Sequence, residues 1–428
     1  MFGHLSSIRC RVRCSVLLEL RVLRGRFPSP YAVPLDKTMV AVMLAGMATF
    51  LNVYPTQPLL PYFRHLFNAS EVEVSLTVSV TIFAMAVTAP FVGVLAERRG
   101  RKNVIVPSLL LLTLPTALCA SATSLHALLF WRLAQGVFVP GVVAVILAYI
   151  NEEWEGRGVG RAMAAYVSGT VMGGFLGRFI SGMVTTHANW RAAFVTLAAF
   201  NLIVALLVRA WLPPAKRFVK VEHIRLAFSD AKRHVHNPRL LANFATGGAV
   251  LFALVGCFTY MNFYLAASPY QLNASQLGSI FFVYLVGVVI TPMSGKFLDR
   301  YGFRPTAFLY CAMMIGGLLL TLASSLAVVI TGLAIFSSGV FIAQAAATVE
   351  TGAIAGRARS SAAGLYLTFY YLGGSLGALV TGWFWAWKRW HGCVLLLSGT
   401  AVLSLLLAML SSRPGEQVDG EEAEVLAD

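Results

Sequence analysis

The chain has 428 residues, of which 58% are apolar and only 12% are charged, and its mean hydropathy is +0.74. So little charge cannot cover the surface of a water-soluble protein, which carries about 25% charged residues, and lipid must therefore surround much of the chain. The net charge of +15 would favour nucleic-acid binding in a soluble protein, but here the basic residues lie between apolar runs, where they are membrane-orientation signals.

Residues 1–37 form a basic leader in which apolar residues recur every three or four positions. This spacing is compatible with an amphipathic helix at the membrane surface. An extension upstream of a translation start near Met39 explains it equally well. The leader lacks the apolar core and the cleavage site of a secretory signal, and we assign no function to it.

A membrane-spanning helix needs about 20 mostly apolar residues, and twelve stretches of the chain qualify. They lie near 38–58, 73–95, 103–122, 125–149, 161–184, 191–212, 240–263, 276–298, 305–323, 326–348, 361–386 and 391–411. The basic connection 213–239 separates an N-terminal six-helix half, 38–212, from a C-terminal six-helix half, 240–412. The acidic tail, 413–428, has the composition of a disordered segment. The sequence therefore predicts an all-α polytopic membrane protein.

Basic residues predict the orientation of these spans. Most of the 33 Lys and Arg residues fall in the connections that share a side with the two termini. The connections on the opposite side hold only Arg64, Arg191, Lys388 and Arg389. Because cytoplasmic loops carry the excess of Lys and Arg, both termini are predicted to be cytoplasmic.

The two halves are related by an internal repeat. A shift of about 200 positions places Gly173 on Gly373 and Gly177 on Gly377. Parallel repeats of this kind bind substrate near the membrane midplane, between the halves. Glycines at these spacings also allow helices to pack closely, and the predicted packing set is Gly169, Gly173, Gly174, Gly177, Gly373, Gly374 and Gly377.

The starts of predicted spans 2 and 8 match in the same way. Ser70 with Glu73, and Asn273 with Gln276, have the spacing of a capping box. In a capping box, the first side chain accepts from the backbone of the fourth residue, whose own side chain accepts from the backbone of the first. A helix N-terminus is therefore predicted at both places.

Two loops and one span carry a family resemblance. Residues 93–102 are G-V-L-A-E-R-R-G-R-K, residues 295–304 are G-K-F-L-D-R-Y-G-F-R, and residues 129–136 contain L-x-x-R-x-x-Q-G. These segments resemble the loop and helix-4 motifs of the major facilitator superfamily, with Glu97 in place of the usual Asp. The resemblance extends over residues 38–412 and implies a transporter whose two six-helix halves enclose a central cavity.

The resemblance assigns a conformational latch to the two loops. Each loop places an acid, Glu97 or Asp299, beside arginines at a helix end, where it can accept Arg donors or cap a neighbouring helix. Such a contact can form in one conformation and break in the other, although a solvated charged turn would have the same sequence. The predicted latch residues are Gly93, Glu97, Arg98, Gly100, Arg101, Gly295, Asp299, Arg300, Gly302 and Arg304.

Span 4 contributes the predicted coupling residues Arg132, Gln135 and Gly136. Arg132 keeps its charge at any working pH, so it cannot itself carry a proton. It can hold an anion or favour the ionised form of a nearby carboxylate. Glu71 or Glu73 would be that carboxylate if span 2 brings either one close.

Within the superfamily, the second half looks like the bacterial YnfM-type branch, which groups with the drug:proton antiporters. Span 5 of those antiporters carries the pattern G-x-x-x-G-P-x-x-G-G. In this chain Gly174 replaces the Pro and Arg178 replaces the last Gly. This departure makes a generic drug antiporter a weaker prediction.

Polar residues inside spans are costly in a bilayer and usually functional. By resemblance, helices 1, 4, 7 and 10 line the cavity, although Tyr54 and Tyr260 could instead be interfacial anchors. No Asp or Glu lies deep within a predicted span, which favours a neutral or anionic substrate. The predicted cavity set is Asn52, Tyr54, Gln57, Arg178, Tyr260, Asn262 and Gln344.

Arg178 is unexpected because the repeat places Ala378 at the matching position. An unpaired charge within a span costs about 3 kcal/mol, and three arrangements could offset that cost. The side chain could extend to an interface, pair with backbone carbonyls or a polar neighbour, or face the cavity and hold a carboxylate or phosphate.

Together these observations predict a secondary active transporter, driven by a proton gradient, that exports a small organic solute across the bacterial inner membrane. The alternatives are a proton-coupled uptake symporter with the same fold and a transport-inactive membrane receptor or scaffold. The sequence has no P-loop, Cys/His cluster or nucleophile arrangement, so no enzyme activity and no cofactor are predicted. The expected partners are a small-molecule substrate and the lipid bilayer, with no nucleic acid, and the expected unit is a monomer.

Overall fold

The computed structural model describes residues 36–154, 157–215, 234–355 and 359–412. Every element in these ranges is a helix, which confirms the predicted all-α class. Almost all of the predicted leader, the middle of the predicted linker (216–233) and the predicted acidic tail lie outside the described residues.

The helices of the N-terminal half follow the predicted order. α1 spans Lys37–Val53 and precedes the short helix Leu60–Leu66; α2 spans Glu71–Arg99 and α3 spans Lys102–Cys119. α4 consists of Leu125–Phe138 and Pro140–Glu153, α5 spans Arg157–His187, and α6 spans Trp190–Trp211.

The helices of the C-terminal half also follow the predicted order. α7 spans Pro238–Ala266, and α8 consists of Ala274–Ile280 and Leu285–Tyr301, joined by the 3-10 turn Phe281–Tyr284. α9 spans Phe303–Leu320 and α10 spans Leu326–Ala355. The continuous stretch Arg359–Ser411 breaks at Lys388 and Arg389, whose backbone angles are not helical. We number the parts before and after this break α11 (359–387) and α12 (390–411).

By length and hydropathy, nine helical stretches in the described ranges could cross a membrane, and one of them, Ala362–Ser411, holds both α11 and α12. α5 is not among the nine because its glycines and Arg178 lower its hydropathy. α8 is not among them because its apolar stretch in the described residues, Ala274–Gly287, is too short. The count of twelve spans and the cytoplasmic termini therefore stay predictions.

Both predicted capping boxes are confirmed. The Ser70 hydroxyl accepts from the Glu73 backbone N–H at 3.2 Å, and the Glu73 carboxylate accepts from the Ser70 backbone N–H at 2.7 Å. Asn273 and Gln276 make the equivalent pair of contacts at the start of α8. These two helix starts lie at one end of the bundle, which we call the capped end. The opposite end, which carries the 93–102 and 295–304 loops, is the basic end.

Glycines on α5 let it lie directly against the backbone of α1. A Cβ at Gly169 would lie 2.0 Å from the carbonyl oxygen of Met43, and one at Gly173 would lie 2.1 Å from that of Met47. On α11, a Cβ at Gly373 would lie 2.0 Å from the carbonyl oxygen of Gly248 on α7. No side chain fits at these distances, so these glycines set the separation between the helices in both halves.

The two halves meet toward the capped end. The Ser79 hydroxyl of α2 donates to the Ser375 carbonyl of α11 at 2.8 Å, and the Ser375 hydroxyl donates to the Ser79 carbonyl at 3.1 Å. α5 crosses α8 closely as well, because a Cβ at Gly182 would lie 2.3 Å from the Ala274 carbonyl oxygen. Among the described residues, every hydrogen bond between the halves lies toward the capped end.

Several glycines near the basic end have no close neighbour. A Cβ added at Gly93, Gly160, Gly295 or Gly364 would meet nothing within 4 Å. These glycines lie near the basic-end termini of α2, α5, α8 and α11, the four helices that join the halves at the other end. Among the described residues, hydrogen bonds therefore join the halves toward the capped end and not toward the basic end.

Candidate functional site

The break after α1 places polar groups in the interior. α1 ends at Val53, Pro55 interrupts the helical backbone, and the chain resumes in a 3-10 turn at Gln57–Leu59. Since Pro has no N–H and forces the chain away from the helical path, the carbonyls of Asn52 and Val53 have no backbone donor among the described residues.

Arg132 supplies the missing donors. Its Nη1 donates to the Asn52 carbonyl at 2.8 Å, its Nη2 donates to the Val53 carbonyl, and its Nε donates to the Thr77 carbonyl of α2 at 2.9 Å. The side chain is completely buried. Arg132 therefore caps the broken end of α1 and ties it to α2 and α4.

The other predicted coupling residues extend this network. Gln135 accepts from Arg132 Nη1 at 2.6 Å and donates to the Thr116 hydroxyl at 2.7 Å, and that hydroxyl donates to Asn52 at 2.9 Å. Asn52 donates in turn to Asn201 of α6 at 3.1 Å. Gly136 allows α4 to approach α2, because a Cβ there would lie 2.2 Å from the carbonyl oxygen of Thr81. The hydrogen bonds of Asn52 all lie within the N-terminal half.

The proposed carboxylate partner of Arg132 is wrong in this structure. Glu73 is engaged in the capping box at the start of α2. Glu71 pairs with Arg64 at 3.4 Å and with Arg389 at 3.3 Å. In the described ranges no carboxylate lies within salt-bridge distance of Arg132, because both acids sit at the capped tip of α2 while Thr77 lies more than one turn further along.

Arg178 lies between the two halves and is 1% exposed. Its Nε donates to Gln57 Oε1 at 2.7 Å, and its Nη1 donates to the Gly174 carbonyl at 2.6 Å. The Gln57 amide nitrogen donates across the interface to the Thr259 hydroxyl of α7 at 3.2 Å. This burial excludes the arrangement in which Arg178 extends to an interface.

Aromatic rings surround the same guanidinium. Its carbon lies 4.4 Å from the ring centre of Tyr54, 4.4 Å from that of Phe281 and 4.9 Å from that of Tyr284. Phe281 and Tyr284 belong to the 3-10 turn of α8, so rings from both halves hold one cation. We call Gln57, Arg178 and these three aromatic residues the arginine box.

The charge of the arginine box is not neutralised by protein groups that the structure describes. No carboxylate in those ranges lies within salt-bridge distance of Arg178, and Nη2 has no hydrogen-bond acceptor there. The Tyr284 hydroxyl is also buried without a partner among the described residues. Cation–π contacts stabilise a cation by about 0.5–2 kcal/mol each, which offsets the burial cost without supplying a counter-charge.

α11 carries a cluster of tyrosines. The ring of Tyr370 packs against those of Tyr366 and Tyr371. Tyr284, Phe281 and Thr259 are not among the predicted cavity residues. They lie in apolar segments typical of any span, and no sequence signal distinguishes them.

The remaining predicted cavity residues are dispersed. The Tyr260 hydroxyl donates to Ser75 at 3.2 Å, which makes it part of the contact between the halves. Asn262 donates to the Phe258 carbonyl of its own helix, and its Oδ1 is buried with no partner among the described residues. Gln344 is partly exposed on α10, and its side chain has no hydrogen bond with a described residue. Only Tyr54, Gln57 and Arg178 of the set come together.

The loop motifs show different contacts in the two halves. Arg101 donates to Glu152 at the end of α4, at 2.6 Å from Nη2 and 3.1 Å from Nε. Arg304 donates to the hydroxyl and carbonyl of Ser412 at the end of α12. Glu97 has no salt bridge within the described residues. Nothing is described of the Asp299 side chain.

The motif glycines end the preceding helices. Gly100 and Gly302 have φ angles of +87° and +80°, which side-chain-bearing residues rarely adopt. Arg300 lies over the ring of Tyr301, with 5.2 Å between the guanidinium carbon and the ring centre. Arg98 is exposed, and Gly93 and Gly295 lie one or two turns before the helix ends.

The capped end carries an ion cluster that the sequence does not predict. Glu71 opens α2 in the N-terminal half, Arg64 lies in the short helix before it, and Arg389 lies in the break between α11 and α12. The pair between Glu71 and Arg389 therefore connects the two halves. Loop arginines are common, and no spacing rule links positions so far apart in the chain.

Comparisons with known proteins agree with this architecture. The chain matches the Major Facilitator Superfamily model over residues 40–378 and again over 270–426. It is 33% identical to the inner membrane transport protein YnfM of Escherichia coli K12 over 372 residues, covering 87% of this chain and 89% of that one. It is 32% identical to the MFS-type transporter YybF of Bacillus subtilis 168 over 385 residues, covering 90% and 95%.

One solved structure of similar fold is a bacterial homologue of the human lysosomal transporter Spinster, in an inward-facing and unoccupied conformation. It matches with a TM-score of 0.70 at 15% identity and covers 90% of this chain and 97% of that one. At this identity the likeness concerns the fold alone.

Proposed function

Because the chain belongs to the major facilitator superfamily, we propose that it exports a small organic solute from the cytoplasm in exchange for protons. Membership confirms the resemblance drawn from the loop motifs. It makes the chain a multi-pass membrane transporter of a small molecule rather than an enzyme. Export, proton coupling, the bacterial inner membrane as its location and a monomeric working unit are the proposed parts.

The arrangement of the arginine box carries this proposal. A buried, charged group lies between the halves, and the hydrogen bonds that join the halves lie toward the capped end. If the basic end is cytoplasmic, as the distribution of Lys and Arg predicts, the end without these bonds faces the compartment from which an exporter takes its substrate. Rocking of the halves about this site would then release the substrate at the capped end.

The test begins with metabolites. Cells that overexpress the protein and cells that lack it are compared for compounds in the medium, and the compound with the largest difference is radiolabelled. Everted vesicles with an acidic interior are expected to accumulate it, and a protonophore should abolish the accumulation. Accumulation only in right-side-out vesicles would establish an uptake symporter instead. A ligand that binds but never moves would indicate a receptor or scaffold.

We further propose that the loop acids latch the basic end when it closes. Glu97 has no ion-pair partner within the described residues, which suits a contact made in another conformation. Glu97→Ala and Asp299→Ala are each expected to slow vesicle transport several-fold while surface expression stays normal, since conformational couplings are about 1–3 kcal/mol. Wild-type rates in both variants would contradict the latch.

The capped-end ion cluster is expected to hold the capped end closed. Glu71→Arg brings a third positive charge against Arg64 and Arg389, so the capped end should open more often. Labelling of Thr259→Cys by a thiol reagent added at the capped end, with the other cysteines replaced, should accelerate a few-fold, since exposed ion pairs contribute about 0.2–1 kcal/mol. Adding Arg389→Glu should restore slow labelling. Equal labelling rates in all three proteins would exclude a gating role.

A further inference from the structure

We propose that the arginine box binds the carboxylate of a small aromatic monoanion, which would make an aromatic carboxylic acid the substrate class. This inference rests on the proposed transport function, since it names what the site between the halves would hold. It depends on four observations, which concern charge, free donors, ring positions and access.

The charge of the box calls for an anion. Arg178 keeps its proton at any working pH, it is 1% exposed, and no described carboxylate lies within salt-bridge distance of it. A buried charge is stable when it is paired. Among the described residues the box therefore lacks one negative charge, and a bound ligand is the group that can bring it.

The free donors match a carboxylate. Nε and Nη1 are engaged by Gln57 and Gly174, which fixes the plane of the guanidinium and leaves the two N–H groups of Nη2 without a described acceptor. The Tyr284 hydroxyl, also buried and unpartnered, lies on a ring 4.9 Å from the guanidinium carbon. One N–H of Nη2 and the Tyr284 hydroxyl can each donate to one oxygen of a single carboxylate.

A monoanion fits better than a phosphate dianion. Arg132 is the other fully buried arginine in the described residues, and its donors are directed to carbonyls and Gln135 within the N-terminal half. The box thus offers one positive charge, and a dianion would leave one negative charge uncompensated in a low-dielectric site.

The rings favour an aromatic body. Tyr54, Phe281 and Tyr284 surround the guanidinium within 5 Å. Aromatic groups pack on such rings in offset or edge-on geometries that contribute beyond simple burial. α5 and α8 are in backbone contact beside the box, where a Cβ at Gly278 would lie 2.7 Å from the Arg178 carbonyl oxygen, so we expect the ligand to enter from the basic end.

Binding is tested on the purified full-length protein in detergent, independently of transport. The probes are benzoate, benzyl alcohol and benzylamine, which share one ring and differ in charge. Isothermal calorimetry should show benzoate binding at least tenfold more tightly than either of the others. Equal binding of benzoate and benzyl alcohol, no binding of benzoate, or a preference for benzylamine would overturn the proposal.

Two variants test whether benzoate binds at the arginine box. Tyr284→Phe removes an unpartnered buried hydroxyl, so it should fold normally and weaken benzoate binding several-fold while benzyl alcohol binding stays unchanged. Arg178→Gln should abolish the preference for benzoate. Tyr310→Phe, on α9, is the matched control, because its hydroxyl already donates to Ser404 within the C-terminal half, and it should bind all three probes as the wild type does. Full benzoate affinity in Tyr284→Phe would place the anion elsewhere.

The outcomes separate this inference from the proposed function. Benzoate binding without proton-driven movement of benzoate in everted vesicles would keep the site and reject the exporter. Proton-driven export of a neutral compound by a protein that ignores benzoate would keep the exporter and reject the anion.

Discussion

Arg132→Gln is expected to abolish proton-driven accumulation in everted vesicles and to lower the thermal stability of the purified protein. The sequence motif predicts a coupling role for this residue, and the structure adds a second reason for the loss. Glutamine cannot reach the carbonyls of Asn52, Val53 and Thr77 together, and each buried carbonyl left without a donor costs about 1–3 kcal/mol. A variant that keeps full accumulation would contradict both roles.

Substrate counterflow separates the two roles, because exchange of labelled for unlabelled substrate needs no proton gradient. If Arg132 only caps α1, counterflow and accumulation fall together with the melting temperature. If it also serves coupling, Arg132→Lys, which keeps the charge but loses the planar fork, should retain counterflow and lose accumulation. Thr196→Ala is a suitable control, since its exposed hydroxyl only donates to the Ala192 carbonyl of its own helix.

The sequence predicted the features that depend on local spacing. The capping boxes at Ser70 and Asn273 formed because the four residues involved are neighbours on one helix turn. The class and order of the helices followed from apolar length, which a bilayer fixes. Gly173 and Gly373 were selected because the internal repeat preserves them, and a preserved glycine on a helix face indicates close contact.

The sequence could not predict which polar residues meet across helices. Asn52 was placed in the cavity because it lies in span 1, yet its side chain points toward Asn201 and Thr116 inside the N-terminal half. The direction of one residue on a helix depends on the rotation of that helix, which packing with its neighbours decides. The hydrophobic pattern carries little of this information when lipid and interior are both apolar.

Arg178 is a residue that the sequence marks as exceptional without identifying its partners. The repeat identified it as an exception, since Ala378 occupies the matching position, and the cost of a buried charge indicated that a partner exists. The partners themselves come from three places, namely the turn after α1, the preceding helical turn of α5 and the 3-10 turn of α8. Only the fold brings them together.

Gly173→Ala is expected to be among the most destabilising single substitutions in the chain, although it adds only one methyl group. The new Cβ would lie 2.1 Å from the carbonyl oxygen and 2.7 Å from the carbonyl carbon of Met47. These are backbone atoms of α1 and cannot rotate away, so α5 would have to move. Overpacking of this kind costs about 1–3 kcal/mol or more, and here it also displaces the helix that carries Arg178.

Gly160→Ala is the matched control on the same helix, because its Cβ would meet nothing within 4 Å. Since alanine favours a helix over glycine by about 1 kcal/mol, this control should melt at the wild-type temperature or slightly above it. Gly373→Ala, at the repeat-related contact with Gly248, should behave like Gly173→Ala. Fluorescence-detected size-exclusion chromatography after heating measures all three variants. A melting temperature for Gly173→Ala equal to that of Gly160→Ala would show that α1 and α5 are not in backbone contact.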